Sequence, residues 1–332
     1  MMKRVLIYCV ACLVAVGAPA LASDFTKTGS VGAQFLKIGV GSRYQGLGEA
    51  SVAVVDDAYS MYWNPAGLAN IPSNDITFTN VNWVTDVVLN YISFATRVDE
   101  VGVFGFSATL MTMGDMEITT VDQPDGTGEM FDASSFALSA GFARNLTTRL
   151  AFGGSIKYVY EKIYNESASG FAFDFGTQLR TGYKSLRIGM NISNLGAEMK
   201  FSGPDLLENL DMTSGSTPEG AVEVDGYDLP LTFRLGIAFD LLDNADNRWT
   251  MAVEAKHPND NEQQASLGTE YCFQQKYFLR SGYKLNYVEQ GLTFGGGIYT
   301  SLGDKTNMVI DYAWSGFDHL DSVHRFSVGF QF

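Results

Sequence analysis

The sequence predicts an all-β fold, a transmembrane antiparallel β-barrel of about 14 strands, and three observations predict it. From residue 76 onward apolar and polar residues alternate with period two, the alternating segments are long, and the connections between them sort by length. A secreted all-β sandwich shares the first of these, so the other two carry the choice.

The chain opens with an export signal. Lys3 and Arg4 form a positive start, Val5 to Val16 is an apolar run too short to span a bilayer, and Ala20-Leu21-Ala22 reads as a cleavage site. Residues 1–22 are therefore expected to be removed, leaving Cys272 as the one cysteine of the mature chain and no intramolecular disulfide. Losing Lys3 and Arg4 takes the formal charge from −15 to −17, which argues against a nucleic-acid partner, because neutralising phosphate needs a basic surface.

Strands are expected near 76–84, 90–98, 102–113, 134–146, 150–163, 170–182, 185–196, 231–242, 248–258, 264–275, 277–285, 292–303, 306–317 and 324–332. Many span 9 to 13 residues, which suits a tilted strand crossing a bilayer better than the roughly 5 to 6 residues of a soluble sheet. In "GFAFDFGTQLR", Phe171, Phe173, Phe175 and Leu179 share one face, and Asp174, Gln178 and Arg180 share the other. "LTFRLGIAFDL" repeats the pattern, with Arg234 and Asp240 on its polar face. All eight prolines avoid strand interiors, where each would remove a ladder hydrogen bond.

Connections after even-numbered strands are short, whereas both long ones, 114–133 and 197–230, follow odd-numbered strands. A barrel with both ends in the periplasm sorts its loops this way, and a sandwich has no reason to. The charges in mid-strand then face a lumen. Arg187, Arg234, Glu254, Glu270, Arg280 and Asp311 are among them, and a lipid-facing midplane Arg or Lys would cost roughly 2 to 4 kcal/mol. The final "HRFSVGFQF" ends on Phe332, and such an ending resembles the strand signal read by the barrel assembly machinery.

Residues 23–75 do not alternate. Within them "DDAYSMYWNPAGLA", residues 56–69, reads as cap, short helix, stop and turn: Asp56 caps a helix through about Tyr62, and Pro65 forces Asn64 out of it. Residues 35–71 resemble the amino-terminal signature of the PorV/PorQ family of outer-membrane proteins, related to the FadL-type transporters. The pattern is carried by Gly41-Ser42-Arg43, by Gly46, Gly48 and Ala50, by the pair Asp56 and Asp57, and by Asn64-Pro65-Ala66-Gly67-Leu68. "NISNLG" at 191–196 and "FLRSGYK" at 278–284 add weaker likeness.

The resemblance implies a barrel of residues 76–332 with residues 23–75 folded into its lumen as a hatch. Asp56 and Asp57 would then be available to lumen arginines such as Arg187 or Arg234. It also implies one of two roles at the outer membrane of a Gram-negative-type cell. In the first, the barrel serves type IX protein secretion, receiving exported cargo and passing it to surface attachment machinery. In the second, it takes up hydrophobic small molecules through a hatch-gated route, with Phe35, Leu36, Tyr59, Met61 and Trp63 as a candidate apolar pocket.

Enzyme chemistry finds no footing. The Gly-rich "GVGSRYQGLGEA" lacks the spacing of a dinucleotide or phosphate loop, and no cofactor is expected. His257, His319 and His324 have no metal-ligand spacing, and a Ser-His-acid arrangement through His319 or His324 lacks a nucleophile motif. The two long loops are acidic, with Asp115, Glu117, Asp122, Asp125, Glu129 and Asp132 in the first and Asp205, Glu208, Asp211, Glu219, Glu223, Asp225 and Asp228 in the second. Solvation explains such loops, and divalent cations bridging them to lipopolysaccharide, or a basic protein partner, is the functional alternative.

Overall fold

The computed structural model describes residues 29–209, 219–221, 224–303 and 305–332. The expected export signal and part of the second acidic loop lie outside them. Fourteen strands close into a barrel. They are Asp75–Asn82 (β1), Val88–Val98 (β2), Gly102–Thr112 (β3), Ala133–Asn145 (β4), Leu150–Ile163 (β5), Glu166–Arg180 (β6), Arg187–Gly196 (β7), Thr232–Asp243 (β8), Asn247–Pro258 (β9), Gln264–Phe273 (β10), Tyr277–Leu285 (β11), Gln290–Leu302 (β12), Thr306–Phe317 (β13) and Val323–Gln331 (β14).

Each strand is antiparallel to its chain neighbours, and β1 closes the ring on β14 with Asp75 opposite Gln331 and Asn82 opposite His324. Closure removes both sheet edges, so every ladder group in the hydrocarbon zone has a partner. The Phe rows settle the choice against a sandwich. Phe171, Phe173 and Phe175 are 57%, 42% and 43% exposed, while Ala172 and Asp174 between them are fully buried. In a sandwich the aromatic face would be the core; here it faces lipid and the charged face points inward.

Loop lengths divide the two ends of the ring as the sequence predicts. Turns at residues 99–101, 146–149, 181–186, 244–246 and 274–276, and the passage from Leu302 to Thr306, gather at the end where β1 starts and β14 finishes. The excursions at 113–132 and 197–231 lie at the other end, and each carries a small hairpin, Met116–Glu117 with Met130–Phe131 and Leu207–Asn209 with Glu219–Ala221.

Strand boundaries differ from the sequence reading by up to four residues, and two of the differences have a local cause. The strand expected from 170 begins at Glu166, because Tyr164 adopts φ 52° and turns the chain within two residues. The strand expected to reach 84 stops at Asn82, where Thr85 and Asp86, at φ 56° and 59°, fold the connection tightly.

A bulge interrupts the inner face of β6. Between Phe173 and Phe175 the β6–β7 register shifts, with Asn194 at φ 61°. The buried Asp174 holds it: its carboxylate accepts from the Asn194 amide at 2.8 Å and pairs with Lys157 at 2.7 Å, while Lys157 Nζ donates to Asn194 Oδ1. A buried carboxylate in this position needs both the cation and the amide.

Candidate functional site in the lumen

The lumen is occupied by residues 29–74, which pack as short helical turns at Gln34–Lys37, Ser42–Gly46, Ser60–Trp63 and Pro65–Asn70. None is long enough to be stable alone, so their order comes from contact with the wall. Three apolar clusters make that contact. Phe35 and Leu36 meet Val159 and Ala172; Tyr44, Tyr59 and Trp63 meet Leu89 and Tyr91; Met61, Leu68 and Ile71 meet Val103 and Ala143.

The signature residues sit at the polar joints between segment and wall. Arg43 Nη1 donates to Asp56 Oδ1 at 2.7 Å and its Nε donates to Glu270 Oε2 at 3.0 Å, bridging the segment to β10. Glu270 also pairs with Arg280, which reaches Asp311, so one chain of charge crosses from the segment to β13. Tyr44 Oη donates to Asp57 Oδ2 at 2.7 Å. Burial, with the nearby carboxylates of Asp75 and Asp56, pushes the Asp57 carboxyl up to about 8 against the opposing pull of Arg43.

Gly46 and Gly48 let the segment touch the wall backbone. A Cβ on Gly46 would lie 3.1 Å from the Gly295 Cα, and Gly48 (φ 64°) sits on the backbone of Gly282 and Tyr283. Asn64 is extended (φ −167°), as Pro65 requires. Its Oδ1 accepts from the Ala66 amide, capping the next turn, and its Nδ2 donates to the carbonyls of Val52 and Thr177, the second on β6. Gly67 leaves room for the Val55 carbonyl and Ser60 Oγ, which a Cβ would meet at 2.6 and 2.5 Å.

Three expectations need correction. The helix begins at Ser60 rather than after Asp56, and it is Asp57 Oδ1 that accepts from a backbone amide, that of Tyr59. Asp56 is held by Arg43 instead. Arg187 and Arg234 do not reach the Asp pair, because carboxylates on their own side of the wall, Asp240 and Glu254, bind them at 2.8 and 2.9 Å. Phe35, Leu36, Tyr59, Met61 and Trp63 share no pocket; they are buried in three separate clusters and hold the segment in place.

Sequence reasoning missed Glu49. Its Oε1 accepts from Lys284 at 2.7 Å, while Arg234 and Lys256 stand 4.0 and 3.9 Å from its Oε2. Burial would raise its pKa, yet these three cations, Lys284 foremost, hold it well below the usual carboxylate range. The neighbouring Ser51 and Val52 amides both donate to Glu254 Oε2 at 2.8 Å. The available signal was a lone acid in a Gly-rich stretch opposite strands with surplus cations.

Two cavities flank the segment. One of about 290 Å³ opens among the short turns and is lined by Arg43, Asp56, Asp57, Asp75, Arg248 and Arg280. The other, about 510 Å³, opens among the loops of the opposite end. His319 faces Glu289 and His324 faces the Tyr312 hydroxyl, and among the described residues neither bonds a serine.

Residues 22–214 match the family described as Type IX secretion system protein PorV. The chain belongs to the PorV family. No curated protein matches this chain significantly. Among solved structures, this PorV-family chain is similar to the P. putida toluene transporter TodX, with 12% identity, TM-score 0.58, and coverage of 89% of this chain and 99% of that one. The CymD monoaromatic hydrocarbon channel gives 13% identity and TM-score 0.56 over 89% and 98% of the two chains. A Pseudomonas aeruginosa FadL homologue gives 9% and 0.53 over 88% and 98%. At such identity the likeness is one of fold. The PorV-family barrel is an outer-membrane protein, and the names it matches are those of secretion components, channels and transporters, not enzymes.

Proposed function

We infer that this barrel acts in type IX protein secretion, binding exported cargo at its outer face and handing it to surface machinery. Residues 23–75 serve as the hatch that keeps the lumen closed meanwhile. The observation that supports this reading most is the family match, which spans the lumenal segment and the first long loop. The two long excursions supply the surface such a role needs, and the second is joined to the segment. The Gly32 amide donates to the Asp228 carbonyl at 3.1 Å, and Glu161 Oε2 accepts from both the Ala33 amide and the Tyr227 hydroxyl. A change in the loop on binding a partner is therefore felt by the hatch.

The acidic loops suit divalent bridging to lipopolysaccharide or a basic partner, and the alternating β14, with Phe332 just beyond it, suits recognition by the barrel assembly machinery. A second reading, hatch-gated uptake of hydrophobic small molecules, draws on the fold shared with TodX and CymD. The deciding experiment is a pull-down of the detergent-solubilised barrel from its own membranes, with mass spectrometry of proteins and lipids. Secreted proteins sharing a carboxy-terminal domain are the expected result. A stoichiometric apolar compound with no protein partner would overturn the secretion role in favour of transport.

A further inference from the structure

Charge is unevenly spread around the short-turn end of the ring. In β4 to β7 and the connections between them the acids are Glu161, Glu166 and Asp174. None stands at that end: Glu161 and Glu166 flank the opposite turn, and Asp174 is held in mid-strand by Lys157 and the Asn194 amide. Arg144, Arg149 and Lys184 gather there instead, at the end of β4 and in the turns at 146–149 and 181–186. The neighbouring turns are acidic, with Asp99 and Glu100 on one side and Asp243 and Asp246 on the other, so the positive charge is confined to one sector.

The fold does not use these three cations. Arg180 and Arg187 of the same sector turn inward, to Asn70 and Asp240. Arg144, Arg149 and Lys184 reach no carboxylate among the described residues, and their side chains donate no hydrogen bond there. Arg144 points outward, because Ala143 before it is buried against the segment and Asn145 after it donates inward to the Ala69 carbonyl at 3.2 Å. It stands opposite Phe152, which with Leu179 belongs to the exposed apolar rows. The Arg149 guanidinium rests on Gly182 of the next turn, where a Cβ would fall 2.8 Å from its Cζ. Lys184 Nζ stands 5.9 Å from the ring of Tyr183, which is exposed, as is Leu146 in the turn beside it.

The sector is therefore an apolar wall that ends in three unpaired positive charges, at the level where the strands leave the hydrocarbon. Long cationic side chains at such a border lay their stems on apolar surface and hold their charge among headgroups. A soluble acidic partner could meet the turns but not Arg144, whose neighbours on the wall face lipid. A zwitterionic headgroup brings its own cation into a site that already holds three. A phospholipid of net negative charge fits both halves, with acyl chains for Phe152 and Leu179 and phosphate oxygens for the cations. We propose that this sector binds an anionic phospholipid of the leaflet on the short-turn side. The site goes beyond the secretion reading, since it lies on the outer wall, away from both the lumen and the long loops.

The test is native mass spectrometry of the full-length barrel in mild detergent, titrated with dioleoylphosphatidylglycerol and, separately, with dioleoylphosphatidylcholine. The anionic lipid should be held about tenfold more tightly. Replacing Arg144→Gln, Arg149→Gln and Lys184→Gln together should bring the two lipids level. Lys276→Gln with Lys305→Gln, on other short connections, should keep the difference. Heat-modifiable mobility on gels shows that each variant is folded. Equal affinity of the unaltered barrel for the two lipids would overturn the proposal without recourse to any variant, and so would a preference that survives the triple replacement. An acidic protein that co-purifies with the unaltered barrel and is lost with the triple variant, while the two lipids bind alike, would make the sector a protein-docking surface instead.

Discussion

Asp56 and Asp57 adjoin in the chain, yet their surroundings separate their energetic roles. The Asp56 side chain is 43% exposed and keeps one ion pair, so Asp56→Ala is expected to cost under about 1 kcal/mol. Glu49 is the opposite case. Glu49→Ala would strand Lys284 and leave Arg234 with Glu254 alone, and losing one partner of a buried pair costs about 3–5 kcal/mol. Urea midpoints read from the emission of the buried Trp63, with Trp83, Trp249 and Trp314 changed to phenylalanine, would show the difference. Asp57 should add a pH dependence. Its folded carboxyl keeps its proton up to about pH 8, against an unfolded value of 3.8. Its contribution is thus fully present below pH 3.8 and lost as pH rises toward 8. Burial raises it most, Asp75 and Asp56 add to the rise, and Arg43 and the Tyr44 hydroxyl oppose it. Asp57→Asn should flatten the Trp63 midpoint over this range, and an unchanged slope would place the titration elsewhere.

Between strand and segment the decisive device is an inward glycine. Gly153 on β5 lies under the Asn64-Pro65 turn, where a Cβ would fall 2.4 Å from the Pro65 carbonyl carbon. Its neighbour Gly154 faces outward with nothing nearer than 3.5 Å. Gly153→Val is therefore expected to lift the segment while the strand survives, and Gly154→Val to do little. Trypsin should cut after Lys37 or Arg43 in the first variant only; equal protection in both would mean the turn can shift aside. These elements also mark how far sequence carries. Strands were legible because alternation is local, and the Asn64-Pro65 stop because proline acts on its own neighbour. The partners of Arg187, Arg234 and Asp56 were not, since each inward charge meets several opposite charges and only register and segment path choose among them. Met61, Tyr59 and Trp63 were legible as buried, but their division between two clusters depends on how a helix of one turn is set against a curved wall.

At the scale of the whole molecule, ring size explains why a segment is present at all. About eight strands can fill their own interior with side chains, but fourteen leave a wider lumen that must hold water or more chain. Here it holds chain. The inward strand faces are built for that, with small residues such as Ala95, Ala137 and Ala172 at the apolar contacts and charges such as Glu254 and Glu270 aimed at segment amides and Arg43. The lipid-facing rows and the closure of β1 on β14 do not involve the segment, so the ring should persist without it. Deleting residues 29–70 is expected to leave a barrel that still shows heat-modifiable mobility on gels but conducts ions steadily across a planar bilayer. Its conductance should exceed that of the full chain by on the order of tenfold, as expected when a plugged barrel is opened. Equal conductance in the two would mean that the segment fills space without sealing it, and that hatch movement is not needed for passage.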